Sequence, residues 1–261
     1  MESLQQKFIA LKASGKKIAS LTAYDYPLAR FLDEAGVDLI LVGDSLGMVC
    51  LGQPDTTHVT LEDMIHHTQA AARGVKQALL VADLPAGSYD TTTQALLSAS
   101  KLIEAGAKAV KLEGGKLFED QIRTVVEAGI PVLSHIGMLP QSIHEEGAYR
   151  IKGKSPEEIE QLVEDALAVE KAGAFGVVIE IVTPEAARKI TASLAIPTIG
   201  IGSGANCDGQ ILVTHDLLGL FPWFKPKFVT PKLDLASDIR KAIASYCAEV
   251  HEGSLLPDRK N

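Results

Sequence analysis

The chain has 261 residues, 46% hydrophobic and 22% charged, enough to bury a large core and too apolar for a disordered chain or a coiled coil. A formal charge of −8, from 25 Lys and Arg against 33 Asp and Glu, repels phosphates, and no basic stripe offsets it, so nucleic acid is not an expected partner. Charges interrupt every apolar run near spanning length, the start carries lysines without the apolar stretch of a secretory signal, and Cys50, Cys207 and Cys247 fit neither a disulfide framework nor a zinc motif; a cytoplasmic protein off the membrane is expected.

In chain order, a helix over residues 1–14 precedes a first buried strand at 18–22. Further apolar runs read as strands at 39–42, 79–82, 109–112, 132–133, 177–181, 198–201 and 210–213. Four of the intervening helices end alike, in Ala35-Gly36, Ala105-Gly106, Ala128-Gly129 and Ala172-Gly173, where a left-handed glycine closes the last turn. Helix starts are marked by Thr60 with Asp63, Ser155-Pro156 with Glu158, and Thr183-Pro184 before Glu185, and a closing helix is expected over 234–250. Alternating strands and helices without a linker predict one α/β domain over 1–261, a (β/α)₈ TIM barrel with an N-terminal helix before the first strand and a C-terminal closing helix. An open doubly wound sheet is the alternative.

The stretches 45–59 and 136–154, after strands two and five, are long for connections and belong to the face where such barrels build active sites. The second, with Gly137, Glu145-Glu146, Gly147 and Gly153, reads as a lid or as a disordered insertion. Side chains just past the strands converge on the same mouth: Tyr24-Asp25, Asp44-Ser45, Asp83, Lys111 with Glu113, His135, Glu180, Ser203 and His215-Asp216. Acids at several strand ends suit a hard divalent cation such as Mg²⁺. Taken singly, Asp44 or Asp83 also fits a turn or a helix cap. The glycines of Gly200-Ile201-Gly202-Ser203-Gly204 fit a phosphate loop or plain turn chemistry, and His66-His67 fit a surface or packing role.

Several motifs together resemble one family. Thr22-Ala23-Tyr24-Asp25, Gly43-Asp44-Ser45-Leu46-Gly47-Met48, Ala82-Asp83-Leu84-Pro85, Lys111-Leu112-Glu113-Gly114-Gly115, His135-Ile136-Gly137 with Pro140-Gln141-Ser142, and Gly200-Ile201-Gly202 with Asp208-Gly209-Gln210 resemble the 3-methyl-2-oxobutanoate hydroxymethyltransferases of pantothenate and coenzyme A synthesis. The resemblance implies an Mg²⁺-dependent transferase in which a 5,10-methylenetetrahydrofolate co-substrate donates one carbon to C3 of 3-methyl-2-oxobutanoate. It also implies 2-dehydropantoate as the product, formed by aldol-type chemistry through an Mg-stabilised enolate, and a homodecameric enzyme. Carried over by motif, Asp44 and Asp83 are metal ligands and Glu113 a metal partner through water. Asp44, Ser45, Asp83 and Lys111 contact substrate, Glu180 is the catalytic base, and His135 is a further candidate. The chain departs from the family pattern at His58, where proline is usual, and at Ser134 and Ala148, where glycine is usual. An Mg²⁺ barrel acting on another 2-oxo acid without folate, and a silent barrel that only binds a small acid, are the competing readings.

Overall fold

A computed structural model describes residues 4–143, 147 and 150–253. The chain divides into two compact units, Met1–Val213 and Thr214–Asn261. The first is a closed barrel whose eight parallel strands pair in sequence order, β8 returning to β1. They are β1 (Ile18–Thr22), β2 (Leu39–Val42), β3 (Leu79–Asp83), β4 (Ala109–Glu113), β5 (Val132–Gly137), β6 (Gly176–Glu180), β7 (Thr198–Ile201) and β8 (Gly209–Leu212). Among the described residues, the α-helices of this unit are α1 (Leu4–Ala13), α2 (Tyr26–Glu34), α3 (Leu46–Val49), α4 (Leu61–Ala72), α5 (Thr92–Glu104), α6 (Glu119–Glu127), α7 (Pro156–Lys171) and α8 (Pro184–Ser193). Helices thus stand at both ends of the chain, with α9 (Thr214–Leu217) and α10 (Leu235–His251) in the C-terminal unit.

The Ala-Gly grammar is a repeated helix stop. After α2, α5, α6 and α7 the glycine takes a positive φ, at Gly36, Gly106, Gly129 and Gly173. The next N–H then reaches back five residues, as in Val37 to Leu32 at 3.2 Å and Ala174 to Val169 at 3.1 Å, while the glycine N–H reaches back three, as in Gly36 to Asp33 at 3.1 Å. This double bonding satisfies carbonyls that a helix end leaves open and turns the chain directly into the next strand. Thr60 and Asp63 form a reciprocal capping box at α4, and Ser155 and Thr183 cap α7 and α8.

Strand alternation sorts the side chains. One set, including Val42, Ala82, Val110, Val177 and Ile179, packs outward with the helices. The other, including Ile18, Leu41, Val81, Leu133, Val178 and Ile199, fills the barrel interior. Phe8 of α1 joins that inner cluster, its ring edge-on to Phe175 at 5.0 Å. Lys12 ties α1 to the strand-eight side through Asp208 at 3.2 Å and the Ile196 carbonyl at 3.1 Å. An apolar floor therefore lies below a mouth where Lys111, Glu113, His135 and Glu180 continue the inward register.

The sequence reading ends β5 at Leu133, whereas the strand runs on to Gly137. Ser134, His135 and Gly137 break the apolar run without breaking the ladder, because the backbone pairs regardless of which side chain faces the mouth. Of the long connection after β5, Glu145, Glu146 and Ala148 lie outside the described residues. Its returning end is pinned, with Lys152 N–H on the Ile181 carbonyl at 3.0 Å and Thr183 N–H on the Lys152 carbonyl at 3.0 Å.

Asp33, buried near the end of α2, accepts hydrogen bonds from Gln77 N–H at 2.9 Å and Ala78 N–H at 2.8 Å, just before β3. Burial disfavours its charge, but these backbone donors outweigh it and hold its carboxyl below the usual value. The stabilisation is present above the carboxylate's unfolded pKa and is lost as pH falls through the folded one. Asp33→Ala should cost about 2 kcal/mol by urea unfolding near neutral pH, and an unchanged midpoint would contradict this.

Candidate active site

Asp44 stands two residues past β2, and Asp83 and Glu113 are the last residues of β3 and β4. One carboxylate oxygen from each lies within 4.8 Å of the others, and all three side chains are buried. The β3–β4 register sets Asp83 opposite Lys111, and the β4–β5 register sets Glu113 opposite His135. Lys111 and Glu113, two apart on one strand, necessarily face the same way. Lys111 Nζ donates to Asp83 Oδ2 at 2.6 Å and to Glu113 Oε1 at 3.3 Å. His135 Nδ1 lies 3.2 Å from Glu113 Oε1, and its Nε2 lies 3.3 Å from Glu180 Oε2, at the end of β6.

Four carboxylates thus share two cationic side chains in a buried space. Burial and the nearby Asp83 carboxylate push the Asp44 carboxyl well above the usual range. Burial likewise pushes Asp83 up to about 6, against the pull of Lys111. Glu113 moves the other way: burial opposes its charge, but Lys111 and His135 outweigh this and hold it at about 2. Burial also opposes charge on Lys111 and His135, yet the surrounding acids win, raising Lys111 above its ordinary value and His135 up to about 9. Burial, with neighbouring carboxylates, disfavours the charged forms of Asp44 and Asp83, a cost that a bound divalent cation would offset.

The donor set fits such a cation. Asp83 Oδ1 is buried without a hydrogen-bond partner, an expensive arrangement for a carboxylate oxygen unless something else binds it. Hard oxygen ligands of this kind suit Mg²⁺. Glu113 has both oxygens engaged, Oε1 by Lys111 and His135 and Oε2 by Gln141 N–H at 3.1 Å, so it is the least free of the three.

A family model described as ketopantoate hydroxymethyltransferase matches residues 3–258. The chain belongs to the ketopantoate hydroxymethyltransferase family. Proteins named 3-methyl-2-oxobutanoate hydroxymethyltransferase are 51% identical in Ignicoccus hospitalis, over 92% of this chain and 91% of that one, and 53% identical in Hyperthermus butylicus, over 94% and 85%. The Clostridium novyi protein of that name is 50% identical over 97% of this chain and 93% of its own. Among solved structures, the barrel resembles a phosphonopyruvate hydrolase crystallised with oxalate and Mg²⁺ (TM-score 0.65, 15% identity, 98% of this chain and 92% of that one). It also resembles 2,3-dimethylmalate lyase (TM-score 0.65, 17% identity, 100% and 92%). At these identities the likeness is one of fold.

Within the ketopantoate hydroxymethyltransferase framework, Asp44, Asp83, Lys111, Glu113, His135 and Glu180 come together as one cluster. Ser45 stands beside Asp44, its hydroxyl 2.8 Å from the Tyr24 hydroxyl. Asp25 instead caps α2, accepting from Leu28 N–H at 2.8 Å. Ser203 is fully buried and binds the Ile179 carbonyl at 2.8 Å and Val182 N–H at 3.1 Å, a tie between strands β6 and β7. His215 and Asp216 belong to the C-terminal unit, on α9, where burial pushes the Asp216 carboxyl up to about 6. His67 Nδ1 meets the Tyr24 carbonyl at 2.7 Å, a packing role. His58 is exposed beside Asp55 at 3.3 Å, and the Ser134 hydroxyl donates to the Gly114 carbonyl at 3.2 Å. Among the described residues, no helix is long and apolar enough to cross a membrane.

Glu180 is 13% exposed and faces His135, while its neighbours Val177 and Ile179 pack outward with the helices. The residue after it, Ile181, has φ +48, the only non-glycine positive φ among the described residues. That conformation costs a β-branched residue energy. It is held by Ile181 N–H on the Ile201 carbonyl at 2.9 Å and by Lys152 N–H on its own carbonyl. Sequence reasoning gave no catalytic-site role to Gln141 or Tyr89. Gln141 lies within a quoted motif, which is the one signal that could have raised it.

Proposed function

We propose that this chain transfers the one-carbon unit of 5,10-methylenetetrahydrofolate to C3 of 3-methyl-2-oxobutanoate, giving 2-dehydropantoate, in an Mg²⁺-dependent reaction in the cytoplasm. The whole chain works as one domain, and the particle is a homodecamer. The observation that carries the reading is the buried Asp44–Asp83–Glu113 cluster with its unpartnered Asp83 Oδ1, facing Glu180 across His135, in a member of this family.

Asp44 and Asp83 would hold the cation directly, and Glu113, with both oxygens engaged, through water. When bound, the cation supplies Lewis-acid stabilisation of negative charge developing on the oxygens of a 2-oxo acid. Glu180 takes the proton from C3; its place at the end of β6, away from β2 and β3, separates proton removal from cation binding. His135, pushed up to about 9 by Glu113 against burial, stands with Nε2 3.3 Å from Glu180 Oε2 and positions that carboxylate by charge. Lys111 pairs with negative charge on the substrate carboxylate or keto oxygen, and the Ser45 hydroxyl, set by Tyr24, gives a neutral contact. No lysine is needed to form a Schiff base.

The exposed apolar residues Ile239, Ile243, Tyr246 and Val250 of α10 suit a chain that associates. Light scattering should find a particle near ten chains, and a monomer at micromolar concentration would contradict the assembly. The reaction itself is tested by turnover of 3-methyl-2-oxobutanoate, which should require methylenetetrahydrofolate and stop on chelation by EDTA. Equal turnover with a simple aldehyde alone would favour a folate-independent aldol enzyme.

A further inference from the structure

Gln141 bonds to the cluster but has no part in this reading. Gln141, in the connection after β5, donates from Nε2 to Asp44 Oδ2 at 2.9 Å and to the Leu84 carbonyl at 3.0 Å. Its backbone N–H donates to Glu113 Oε2 at 3.1 Å. Asp44 and Glu113 come from strands separated by β3, and their like charges repel at this range. Gln141 bonds to both.

Its amide can face only one way. The Leu84 carbonyl can only accept, so Nε2 must face it and Asp44, which leaves Oε1 to accept from Tyr89 O–H at 2.5 Å. A flipped amide would set oxygen against carboxylate. Tyr89 is buried and packs edge-on against Phe118, ring centroids 5.2 Å apart. Phe118 in turn occupies the space that any side chain on Gly114 would need, and Gly114, at φ +119, directly follows Glu113. A continuous packed path thus runs from the Glu113-Gly114 backbone through Phe118 and Tyr89 to the amide that holds Asp44.

We propose that Gln141, braced by Tyr89, is a positioning residue for the cation site, holding Asp44 Oδ2 with its side chain and Glu113 Oε2 with its backbone N–H so that the two carboxylates stay gathered about Asp83 Oδ1. The proposal rests on the cation reading of Asp44, Asp83 and Glu113. Groups behind metal ligands set ligand orientation, and their loss typically weakens metal affinity about 10- to 100-fold.

The test is Mn²⁺ binding to the metal-free full-length protein, read from the electron paramagnetic resonance signal of free Mn²⁺ and needing no turnover. Gln141→Met keeps length, most of the volume and the backbone N–H to Glu113 but loses the side-chain hydrogen bonds, and should weaken Mn²⁺ binding roughly 10-fold or more at an unfolding midpoint close to wild type. Tyr89→Phe removes one oxygen and should weaken binding in the same direction by less; it decides the matter if Gln141→Met fails to fold. Wild-type affinity in folded Gln141→Met, or in Tyr89→Phe alone when the first does not fold, overturns the positioning role and leaves the cation reading standing. Absence of Mn²⁺ binding by the wild type overturns the cation reading and this proposal with it.

Discussion

Glu180→Gln should exchange the C3 hydrogen of 3-methyl-2-oxobutanoate in deuterated water at least about 100-fold more slowly than the wild-type protein, the usual scale of a lost general base. Glutamine keeps the size and the contact with His135 but cannot accept the proton. Turnover with the folate donor should fall by the same factor, because both reactions pass through the same carbanion. Mn²⁺ affinity should be unchanged, since Glu180 lies outside the Asp44–Asp83–Glu113 cluster. Exchange at the wild-type rate would place the base elsewhere. His135 is then the next residue to test, although a side chain pushed up to about 9 by Glu113 against burial is an acid at neutral pH, and only above that value would it serve as a base.

Asp83→Asn should lose divalent-cation binding and activity together. Asp83 contributes the unpartnered oxygen of the cluster, and an amide lacks the charge that holds a hard cation. A direct ligand should matter more than the groups behind it, so Mn²⁺ affinity is expected to fall by more than about 100-fold. The fold should persist, because burial already disfavours the Asp83 charge, pushing its carboxyl up to about 6, and Lys111 keeps Glu113 as a partner at 3.3 Å. Turnover at saturating substrate with unchanged Mg²⁺ dependence would remove Asp83 from the site. Asp44→Asn should behave alike and Glu180→Gln should not, which separates binding from proton transfer.

The barrel was legible because its signals are local. A helix that stops at Ala-Gly, a Thr60–Asp63 capping box and a short apolar run each declare themselves within a few positions; their alternation implies a parallel sheet, and the count of eight units favours closure over an open sheet. The charged strand ends were legible too, and Asp83, Lys111, Glu113, His135 and Glu180 lie in the last residues of β3 to β6, where β registers bring them together. What each side chain does there was less legible. Asp25 and Asp44 both follow buried strands, yet one caps a helix and the other joins the buried carboxylate cluster. Ser203 looks like a mouth residue but is spent on the β6 and β7 backbone. Gln141 meets Asp44 across 97 residues of chain, and nothing near either residue encodes that contact. Such pairings depend on register, closure and loop path, which arise only when the whole barrel forms.

In the proposed reaction Glu180 and the carboxylate cluster act as one carbon-acid site, and hydrogen exchange in the wild-type protein without folate tests this most directly. Proton NMR of 3-methyl-2-oxobutanoate in deuterated water should show loss of the C3 hydrogen with protein and Mg²⁺, and none above background after EDTA. Exchange that continues at the same rate in EDTA, or that never occurs until methylenetetrahydrofolate is added, would contradict it.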